Sequence, residues 1–285
     1  MTTPRRITLF THSDSGDTTE AVRRLLEEAR RAGIEVVVPA SESEKHGLGA
    51  GDGVTVVDAP DDDTDLAVVL GGDGTILRAL REYAGMRVPV FAFNYGTIGF
   101  LATVDGHELD DGLRRVVEGD FATVSMPALA IEVDGTTRLA AADVSFHRRP
   151  HARVAELAYS VEGEQLGKVR CDGLVAATPA GSTGYNLANG GPLLAWGVEG
   201  FVVSFIAPHS LTARAVVVAP DTPLSVVNCS DREAVDVTTD GQIARELGPA
   251  SKLEVRFEHQ KVHLAQVPST GFYDRLRQKF GRIAY

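Results

Sequence analysis

The fold is decided by the stretch Leu66-Ala67-Val68-Val69-Leu70-Gly71-Gly72-Asp73-Gly74-Thr75. A short apolar run stops at a glycine-rich turn, and a helical pattern follows. Such a run fits a buried strand, and glycines let backbone N–H groups approach a ligand closely. A strand that leads through a glycine-rich turn into a helix N-terminus is a common arrangement for binding phosphate. The sequence therefore predicts a phosphate site at residues 71–75.

Asp73 is the unusual residue in this turn. A carboxylate beside a polyphosphate is repelled unless a cation lies between them or the carboxylate accepts a proton. Both arrangements favour phosphoryl transfer over simple anion binding. From this motif alone, the alternative that Asp73 only caps the following helix stays open.

Length, charge and cysteine content limit the classes of function. The chain has 285 residues, 44% of them hydrophobic, which suits one large or two modest domains. A net charge of −11 argues against nucleic acid or an anionic membrane surface as the main partner. Cys171 and Cys229 form no disulfide framework or metal-type spacing, so we expect a cytoplasmic protein. The apolar run at residues 7–10 is too short for a signal peptide or a membrane span.

Strand-like and helix-like patterns alternate through the first third of the chain. Helices are predicted between Asp17 and Gly33 and over residues 76–83, and a loop is predicted over residues 39–53. The predicted strands are residues 7–10, 34–38, 54–57, 66–70 and 88–93. This alternation predicts an α/β domain with a Rossmann-like parallel sheet, in which ligands lie beyond the carboxyl ends of the strands.

From about residue 120 the pattern changes to short strands separated by turn signals. The predicted strands are residues 129–133, 154–161, 174–177, 201–206, 216–219, 224–227, 235–238, 253–257 and 262–267. We therefore predict a β-rich C-terminal domain over residues 120–268. The α/β domain would comprise residues 1–119, and residues 269–285 would rejoin it as a returning helix.

Three further motifs follow predicted strands or turns. Asn94-Tyr95-Gly96-Thr97-Ile98-Gly99-Phe100-Leu101 predicts a second ligand-facing loop, in which Tyr95 could stack on a base. Asp172-Gly173 and Thr178-Pro179-Ala180-Gly181-Ser182-Thr183-Gly184-Tyr185-Asn186 collect hydroxyls and an amide with almost no charge. That composition suits hydrogen bonding to sugar hydroxyls and base edges. Asn189-Gly190-Gly191-Pro192 predicts another tight turn.

Together, and in this order, these motifs resemble the NAD kinase family. Ala207-Pro208-His209-Ser210-Leu211-Thr212 with Arg214, and Asp240-Gly241-Gln242, resemble later blocks of the family. The likeness runs from the first strand to about Pro268. The glycine turn alone is shared with diacylglycerol, sphingosine and 6-phosphofructo kinases. A lipid or sugar kinase, a divergent paralogue acting on another nucleotide, and a non-catalytic nucleotide sensor are therefore the alternatives.

The resemblance implies transfer of the γ-phosphoryl group of ATP, or of polyphosphate, to the 2′-hydroxyl of the adenosine ribose of NAD. It also implies Mg²⁺ or another divalent cation, and a homodimer or homotetramer formed through the β-rich domain. Asp73 is the predicted base, because a carboxylate helps to deprotonate a poor nucleophile. The residues predicted to bind phosphate or ATP are Gly71, Gly72, Gly74 and Thr75. The residues predicted to bind NAD are Phe93, Asn94, Gly96, Asp143, Asp172, Ser182, Thr183, Gly184 and Tyr185.

The sequence departs from the family pattern at three positions. Ala142 replaces an asparagine that precedes Asp143 in relatives, Ala213 replaces another before Arg214, and Gly184 stands where alanine is common. The first change removes a hydrogen-bonding group for ribose, and we expect it to weaken NAD binding by about 1 kcal/mol.

Several residues carry open interpretations. Tyr185 either contacts the ligand or packs in the core. Arg148, Arg149 and Arg153 either face solvent or bind the 2′-phosphate or a polyphosphate donor. Cys171 is expected to be an ordinary buried thiol.

Overall fold

The predicted strand before the glycine turn is the central strand β4 (Leu66–Gly71) of a parallel sheet in the computed structural model. The structure describes residues 3–14, 16, 18–51, 53–96, 99–268 and 271–281. The chain divides into two units: Met1–Ser125 with Val262–Tyr285, and Met126–Lys261. Among the described residues, no helix is both long enough and apolar enough to cross a membrane.

The first unit alternates strands with helices. Its strands are β1 (Arg6–Thr11), β2 (Glu35–Pro39), β3 (Val54–Val57), β4, β5 (Pro89–Asn94), β6 (Val104–Asp105) and the end of β18 (Lys252–Gln266). Its helices are α1 (Thr19–Ala32), α2 (Ala40–His46), α3 (Asp73–Glu82), α4 (Leu109–Glu118) and α6 (Phe272–Phe280), with a 3₁₀ turn at Gly106–Glu108.

The parallel sheet of the first unit has the strand order β3-β2-β1-β4-β5-β18. The chain moves outward from β1 in one direction through β2 and β3, and in the other through β4 and β5. A switch point therefore lies between the carboxyl ends of β1 and β4, where sheets of this type bind ligands. Thr11 pairs with Leu70 at that edge, directly before the glycine turn.

The sheet is stable because its central strands are apolar on both faces. Every residue of β4 is buried, which matches the unbroken valine and leucine run that parallel strands require. Helix α1 covers one face through Val22, Leu25 and neighbouring apolar residues. The helix ends at Gly33, whose positive φ of 70° closes the last turn at little steric cost to a glycine.

The helical prediction was incomplete in this unit. Helix α3 begins at Asp73, three residues before the predicted start at Ile76. Residues 39–53 were predicted as a loop, but α2 occupies Ala40–His46. The sequence of α2 has no apolar stripe; its buried residue is Glu42, which is held by ion pairs. Helix α4 was not predicted either.

The second unit is β-rich, as predicted. Its strands are β7 (Ala122–Val133), β8 (Thr136–Ala140), β9 (Asp143–Arg148), β10 (Ala155–Val161), β11 (Glu164–Cys171), β12 (Gly173–Ala177), β13 (Phe201–Ile206), β14 (Val216–Val218), β15 (Leu224–Asn228), β16 (Val235–Thr239), β17 (Gln242–Leu247) and the start of β18. A 3₁₀ turn (Gly181–Thr183) and the short helix α5 (Tyr185–Ala188) follow β12.

Two antiparallel sheets enclose the core of the second unit. One has the order β14-β13-β12-β9-β16-β17, and the other joins β11, β10, β15 and β18. Phe146 and Phe201 of the first sheet share a buried cluster with Leu157, Val226 and Val255 of the second. The β-rich second domain was the sequence prediction, and this cluster is the apolar core that stabilises it.

Some strands of this unit were missed or divided. Strands β8, β9, β11 and β17 were not predicted, and the two predicted strands at residues 253–257 and 262–267 are parts of the single strand β18. Helix α6 confirms the helical prediction near the C-terminus, while residues 269, 270 and 282–285 lie outside the described residues. The predicted domain boundaries after residues 119 and 268 stay a prediction.

Candidate functional site

The glycine turn joins β4 to α3 in a way that requires glycine. Gly72 is extended and its carbonyl accepts hydrogen bonds from the amides of Thr75 at 2.9 Å and Ile76 at 3.1 Å. A Cβ at Gly71 would lie 2.7 Å from Oγ1 of Thr75. The tight turn thus places the helix N-terminus, with its partial positive charge, at the carboxyl edge of the sheet.

A cavity of about 340 Å³ opens at this turn. It is lined by Thr11, His12, Ser13, Gly72, Gly74, Thr75 and Arg78. Thr11 ends β1, His12 and Ser13 follow it, and the other four residues follow β4, so the cavity lies at the switch point of the sheet. We name it the turn cavity. It contains Gly72, Gly74 and Thr75 of the predicted phosphate site, whereas Gly71 is buried.

The carboxylate of Asp73 is held by hydrogen bonds from a segment outside its own helix. Its Oδ2 accepts the amide of Phe100 at 3.1 Å, and its Oδ1 accepts the amide of Leu101 at 3.0 Å. The side chain is half-buried. These contacts weigh against the interpretation that Asp73 merely caps α3. Thr97 and Ile98 of the same loop lie outside the described residues.

The start of the second predicted loop packs directly on the glycine turn. A Cβ at Gly96 would lie 2.9 Å from Cα of Gly72, so the two backbones meet without side chains between them. Asn94 accepts the amide of Gly96 at 3.0 Å and donates to Oδ1 of Asp105 at 3.2 Å. Phe93, in contrast, is fully buried. Asn94 and Gly96 therefore lie beside the turn, while Phe93 supports them from the core.

Arg275 of α6 is a site residue that sequence reasoning missed. It is only 4% exposed and donates to the carbonyl oxygens of Gly99 at 2.9 Å and Thr103 at 3.1 Å. Burial lowers the pKa of Arg275, and the charges of Asp105 and Asp73 oppose that shift. Arg275 thus braces the segment whose amides hold Asp73. A single arginine in a helix carries no motif that would have revealed this role.

A second group of polar residues lines one face of β9 in the second unit. Asp143, Ser145 and His147 alternate with Val144 and Phe146, which are fully buried. Side chains alternate between the two faces of a strand, so the three polar residues share one face. We name this surface the β9 face. The alternation was present in the sequence, but only Asp143 was predicted to be functional.

The β9 face continues into neighbouring elements. Oγ of Ser145 lies 2.8 Å from Nε2 of His147 and 2.7 Å from Oγ1 of Thr238. The ring of His147 stacks on Tyr185, with centroids 5.6 Å apart. Burial lowers the pKa of His147 and the charge of Asp236 opposes this shift. Tyr185 is 37% exposed, so the core-packing interpretation is wrong.

Asp143 is an unusual carboxyl group. Asp240 accepts the backbone amides of Ala141, Ala142 and Asp143 at 2.9, 2.7 and 3.1 Å, which anchors the start of β9. Burial raises the pKa of Asp143 to about 7, and the charge of Asp240 adds to the shift while a hydrogen bond from Ser145 opposes it. Near neutral pH, Asp143 therefore changes between hydrogen-bond donor and acceptor.

Asp172 approaches the same aromatic group. Nε of Arg148 donates to its Oδ1 at 2.5 Å, and both side chains are partly exposed. Burial raises the pKa of Tyr185, and the charges of Asp143 and Asp172 raise it further. Asp143 and Asp172 are therefore both close enough to the Tyr185 phenol to act on its pKa.

The predicted arginine cluster is divided by its ion pairs. Arg148 is bound to Asp172, and Arg149 pairs with Asp236 at 3.0 Å and with Glu246 at 2.8 Å. Arg153 is exposed. The hypothesis that these arginines together bind phosphate is weakened, because two of them are already paired with carboxylates.

The hydroxyl-rich segment divides into supporting and accessible residues. Ser182 is fully buried; its Oγ donates to the carbonyl of Pro179 at 2.8 Å and accepts the amide of Leu194 at 2.9 Å. Thr183 is half-buried and Gly184 is exposed. Ser182 therefore holds the segment together, and Thr183 and Gly184 are accessible to a ligand.

Two other expectations concern thiols and metals. Cys171 is fully buried, and burial raises the pKa of its thiol to about 12, which confirms the buried-thiol prediction. Among the described residues, no group of three or more His, Cys, Asp or Glu side chains is arranged to hold a metal ion.

Comparison with protein families matches both parts of the chain. The family model of the ATP-NAD kinase N-terminal domain matches residues 7–121. The model of the ATP-NAD kinase C-terminal domain matches residues 141–267.

Curated relatives match most of the chain. An NAD kinase of Gemmatimonas aurantiaca is 35% identical over 223 residues, which cover 76% of this chain and 77% of the relative. An NAD kinase of Thermobifida fusca is 31% identical over 293 residues, which cover 98% of this chain and 90% of the relative.

Solved structures share the fold. A yeast NADH kinase complexed with NADH matches with a TM-score of 0.84 and 21% identity, covering 100% of this chain and 90% of the other. An NAD kinase from Archaeoglobus fulgidus in complex with ATP matches with a TM-score of 0.73 and 24% identity, covering 97% of both chains. At such identities the likeness concerns the fold alone.

Proposed function

This chain belongs to the ATP-NAD kinase family and phosphorylates NAD, and we propose that Asp73 is the base that activates the 2′-hydroxyl of the adenosine ribose. The observation that carries the proposal is the position of this carboxylate. It lies at the first residue of α3, next to the residues of the turn cavity, and is oriented by the amides of Phe100 and Leu101.

The hydrogen bonds to Asp73 suit the role of a base. A ribose hydroxyl is a poor nucleophile at neutral pH, so a carboxylate within hydrogen-bond reach accelerates its attack. Each carboxylate oxygen of Asp73 accepts one amide N–H and keeps a further lone pair for the hydroxyl proton. The amides fix the orientation of the group before the substrate arrives, which reduces reorganisation during the reaction.

The turn cavity is assigned to the phosphates of the donor. Backbone N–H groups at the start of α3 and the positive end of its dipole favour anions there. Gly72 and Gly74 let phosphate oxygens approach the backbone, and Thr75 adds a hydroxyl. Little covalent chemistry is required of a protein in phosphoryl transfer, so positioning and charge stabilisation account for most of the catalysis.

A divalent cation, Mg²⁺ or an equivalent, is part of the proposal. When bound with the donor, it neutralises charge on the phosphates. The chemistry of the site fits such an ion, because Asp73 is a half-buried carboxylate next to a phosphate cavity and Mg²⁺ prefers hard oxygen ligands. Asp73 is the residue that would face the ion, and oxygens of the donor would supply further ligands.

The β9 face is assigned to the dinucleotide. The stacked pair of His147 and Tyr185 offers an aromatic surface for a base. Asp143 and Asp172 offer acceptors for sugar hydroxyls, and Thr183 lies on the accessible side of its segment. Gly184 is also proposed to contact NAD, with Ser182 in support. In the first unit, Asn94 and Gly96 are proposed as NAD-binding residues, with Phe93 in support.

Further parts of the proposal rest on the family resemblance. Polyphosphate is the alternative donor to ATP. A homodimer or homotetramer assembled through the β-rich domain, and a cytoplasmic location, are also proposed on this basis.

The test is an assay of NADP formation with purified protein, NAD, Mg²⁺ and ATP. Asp73→Asn keeps the shape of the side chain and should lower kcat by about 100-fold to 10,000-fold, since that is the usual contribution of a general base. Titration should show that NAD still binds. Asp110→Asn, at an exposed carboxylate of α4, is the matched control.

Two results would contradict the proposal at different points. A wild-type rate in Asp73→Asn would exclude Asp73 as the base. Phosphorylation of another nucleotide, with no NADP formed, would instead favour the divergent paralogue.

A further inference from the structure

A buried ionic cluster lies beside the turn cavity in the first unit. Its centre is Glu42 of α2, whose side chain is 1% exposed. The carboxylate accepts hydrogen bonds from Oγ1 of Thr11 at 2.5 Å and from Nζ of Lys45 at 2.7 Å. It also forms an ion pair with Nη2 of Arg78. Burial alone would raise the pKa of Glu42, but the donors from Lys45, Thr11 and Arg78 outweigh it and hold the pKa below its ordinary value.

The two cations of this cluster, Lys45 and Arg78, differ in how many of their donors are bound by protein acceptors. Lys45 is 19% exposed, and its Nζ also lies within hydrogen-bond distance of the carbonyls of Thr11 and His12 and of the Thr11 hydroxyl. Arg78 is 34% exposed, and its hydrogen bonds to Glu42 and Thr11 both leave from Nη2. Within the described part of the chain, Nη1 of Arg78 donates to no acceptor. Lys45 is therefore fully engaged by acceptors of the protein, and Arg78 is the cation of this cluster with donors left for a ligand.

Arg78 separates two cavities. It lines the turn cavity, and it also lines a second cavity of about 220 Å³ that we name the side cavity. The guanidinium lies over the ring of Phe10, 5.4 Å from its centroid, which holds it in place between the two. A ligand that reached from one cavity to the other would therefore pass this guanidinium.

The linings of the two cavities differ in chemistry. The turn cavity is formed by the glycine turn and small hydroxyl residues, which suits phosphate. The side cavity has apolar walls from Phe10, Pro39 and Pro60, together with the carboxylates of Glu42, Asp58 and Glu82. Carboxylates repel a polyanion, but they accept hydrogen bonds from sugar hydroxyls, and apolar walls suit a planar base.

We propose that Arg78, positioned by Glu42, binds the phosphate chain of the donor, and that the side cavity holds the donor's nucleoside, so that this chain prefers a nucleoside triphosphate to inorganic polyphosphate. The inference rests on the proposed function and specifies its donor site. Glu42 acts as a positioning residue for Arg78, which it holds by an ion pair, and its buried carboxylate also lines the side cavity.

The competing interpretation is that the Glu42–Arg78 pair only ties α2 to α3. A purely structural pair would affect stability and both substrates alike. A donor-binding arginine affects the donor alone, because its charge-assisted hydrogen bonds are made to phosphate. Comparison of KM for ATP with KM for NAD therefore separates the two.

The experiment measures initial rates for five variants with ATP and with inorganic tripolyphosphate. Arg78→Ala should raise KM for ATP by about tenfold to a hundredfold, the loss expected for hydrogen bonds to a charged group. KM for NAD should change less than twofold. Arg78→Lys should recover only part of the loss, because a lysine lacks the planar fork. Arg81→Ala, on the same helix and outside both cavity linings, is the matched control and should behave as wild type.

The fourth variant, Ala59→Trp, fills the side cavity from an exposed loop position and addresses the nucleoside part. It should raise KM for ATP and leave KM for tripolyphosphate unchanged. Glu42→Gln should weaken ATP binding in the same direction as Arg78→Ala, but it removes a buried ion pair. The melting temperature of Glu42→Gln is therefore measured as well. The proposal is judged on Arg78→Ala for the phosphate chain and on Ala59→Trp for the nucleoside.

The outcomes separate this inference from the proposed function. An unchanged KM for ATP in Arg78→Ala, or equal increases for ATP and NAD, would overturn the role of Arg78. Equal kcat/KM values for ATP and tripolyphosphate in the wild type, or equal responses to Ala59→Trp, would overturn the nucleoside assignment. If the wild type formed no NADP with either donor, the proposed function itself would fail. Binding of Mg²⁺ with a non-hydrolysable ATP analogue, measured by calorimetry, would still test Arg78 in that case.

Discussion

The glycine turn and the β9 face are two polar sites built on opposite principles. The turn is made of backbone: Gly71 and Gly96 are needed because a Cβ there would lie 2.7 Å from Oγ1 of Thr75 and 2.9 Å from Cα of Gly72, respectively. The β9 face is made of side chains that meet through strand pairing, as when Ser145 bonds Thr238, 93 positions away. Backbone sites therefore leave a local signature in the sequence, whereas side-chain faces are assembled from distant segments.

The largest effect that tests this comparison is expected from Gly96→Ala. A Cβ there would lie 2.9 Å from Cα of Gly72, and neither backbone can move without disturbing the turn. We expect kcat for NADP formation to fall by about 100-fold, as when a small misplacement disturbs a reacting geometry. Gly49→Ala, whose Cβ would meet nothing within 4 Å, is the control. Near-wild-type activity in Gly96→Ala would show that the turn tolerates displacement.

A smaller effect is expected from Arg275→Met, which keeps much of the side-chain volume but removes the donors to Gly99 and Thr103. The segment that holds Asp73 should loosen, and kcat should fall by about tenfold, the equivalent of one hydrogen-bonding contribution of 1–2 kcal/mol. Arg277→Met on the same helix, at an arginine whose side chain is 78% exposed, is the control. Equal rates in the two variants would remove Arg275 from the site.

These cases show how much could be predicted from the sequence. The parallel sheet, the turn and the β-rich second unit follow from apolar runs and glycines, which are local features. Helix α2 was missed because Glu42 is buried by contacts with Arg78, a residue far along the chain. Arg275 was missed for the same reason. The β9 face could be predicted in part from the sequence, because Asp143, Ser145 and His147 alternate with apolar residues.

The β9 face predicts a pH effect on stability. The folded pKa of Asp143 is about 7, above the ordinary value of 3.8. Between these values the folded protein keeps a proton that the unfolded chain has released. The stabilisation is therefore fully present below pH 3.8 and is lost as the pH rises through 7.

Asp143→Asn removes this titration and should flatten the pH dependence. From pH 5 to pH 8, the free energy of unfolding of the wild type should fall by on the order of 2 kcal/mol more than that of the variant. Urea denaturation of the ligand-free proteins at both pH values measures the difference. Asp240, which adds to the shift, stays in place in both proteins. Parallel curves would show that Asp143 titrates normally.

The smallest effect is expected from Ala142→Asn, which introduces the asparagine that the family resemblance predicts at this position. The added amide should strengthen NAD binding by about 1 kcal/mol, or roughly fivefold in Kd. Ala142 is 3% exposed, so the new side chain also tests whether the start of β9 has room for it. Isothermal titration with NAD measures the change, and weaker binding would indicate that this chain has repacked around the alanine.

The most direct test of the central claim is a crystal structure of the protein with NAD, Mg²⁺ and a non-hydrolysable ATP analogue. The account predicts that a carboxylate oxygen of Asp73 lies within about 3 Å of the adenosine ribose 2′-oxygen, the reach required of a general base. A complex in which that hydroxyl lies beyond reach of Asp73, and against another titratable side chain, would contradict it.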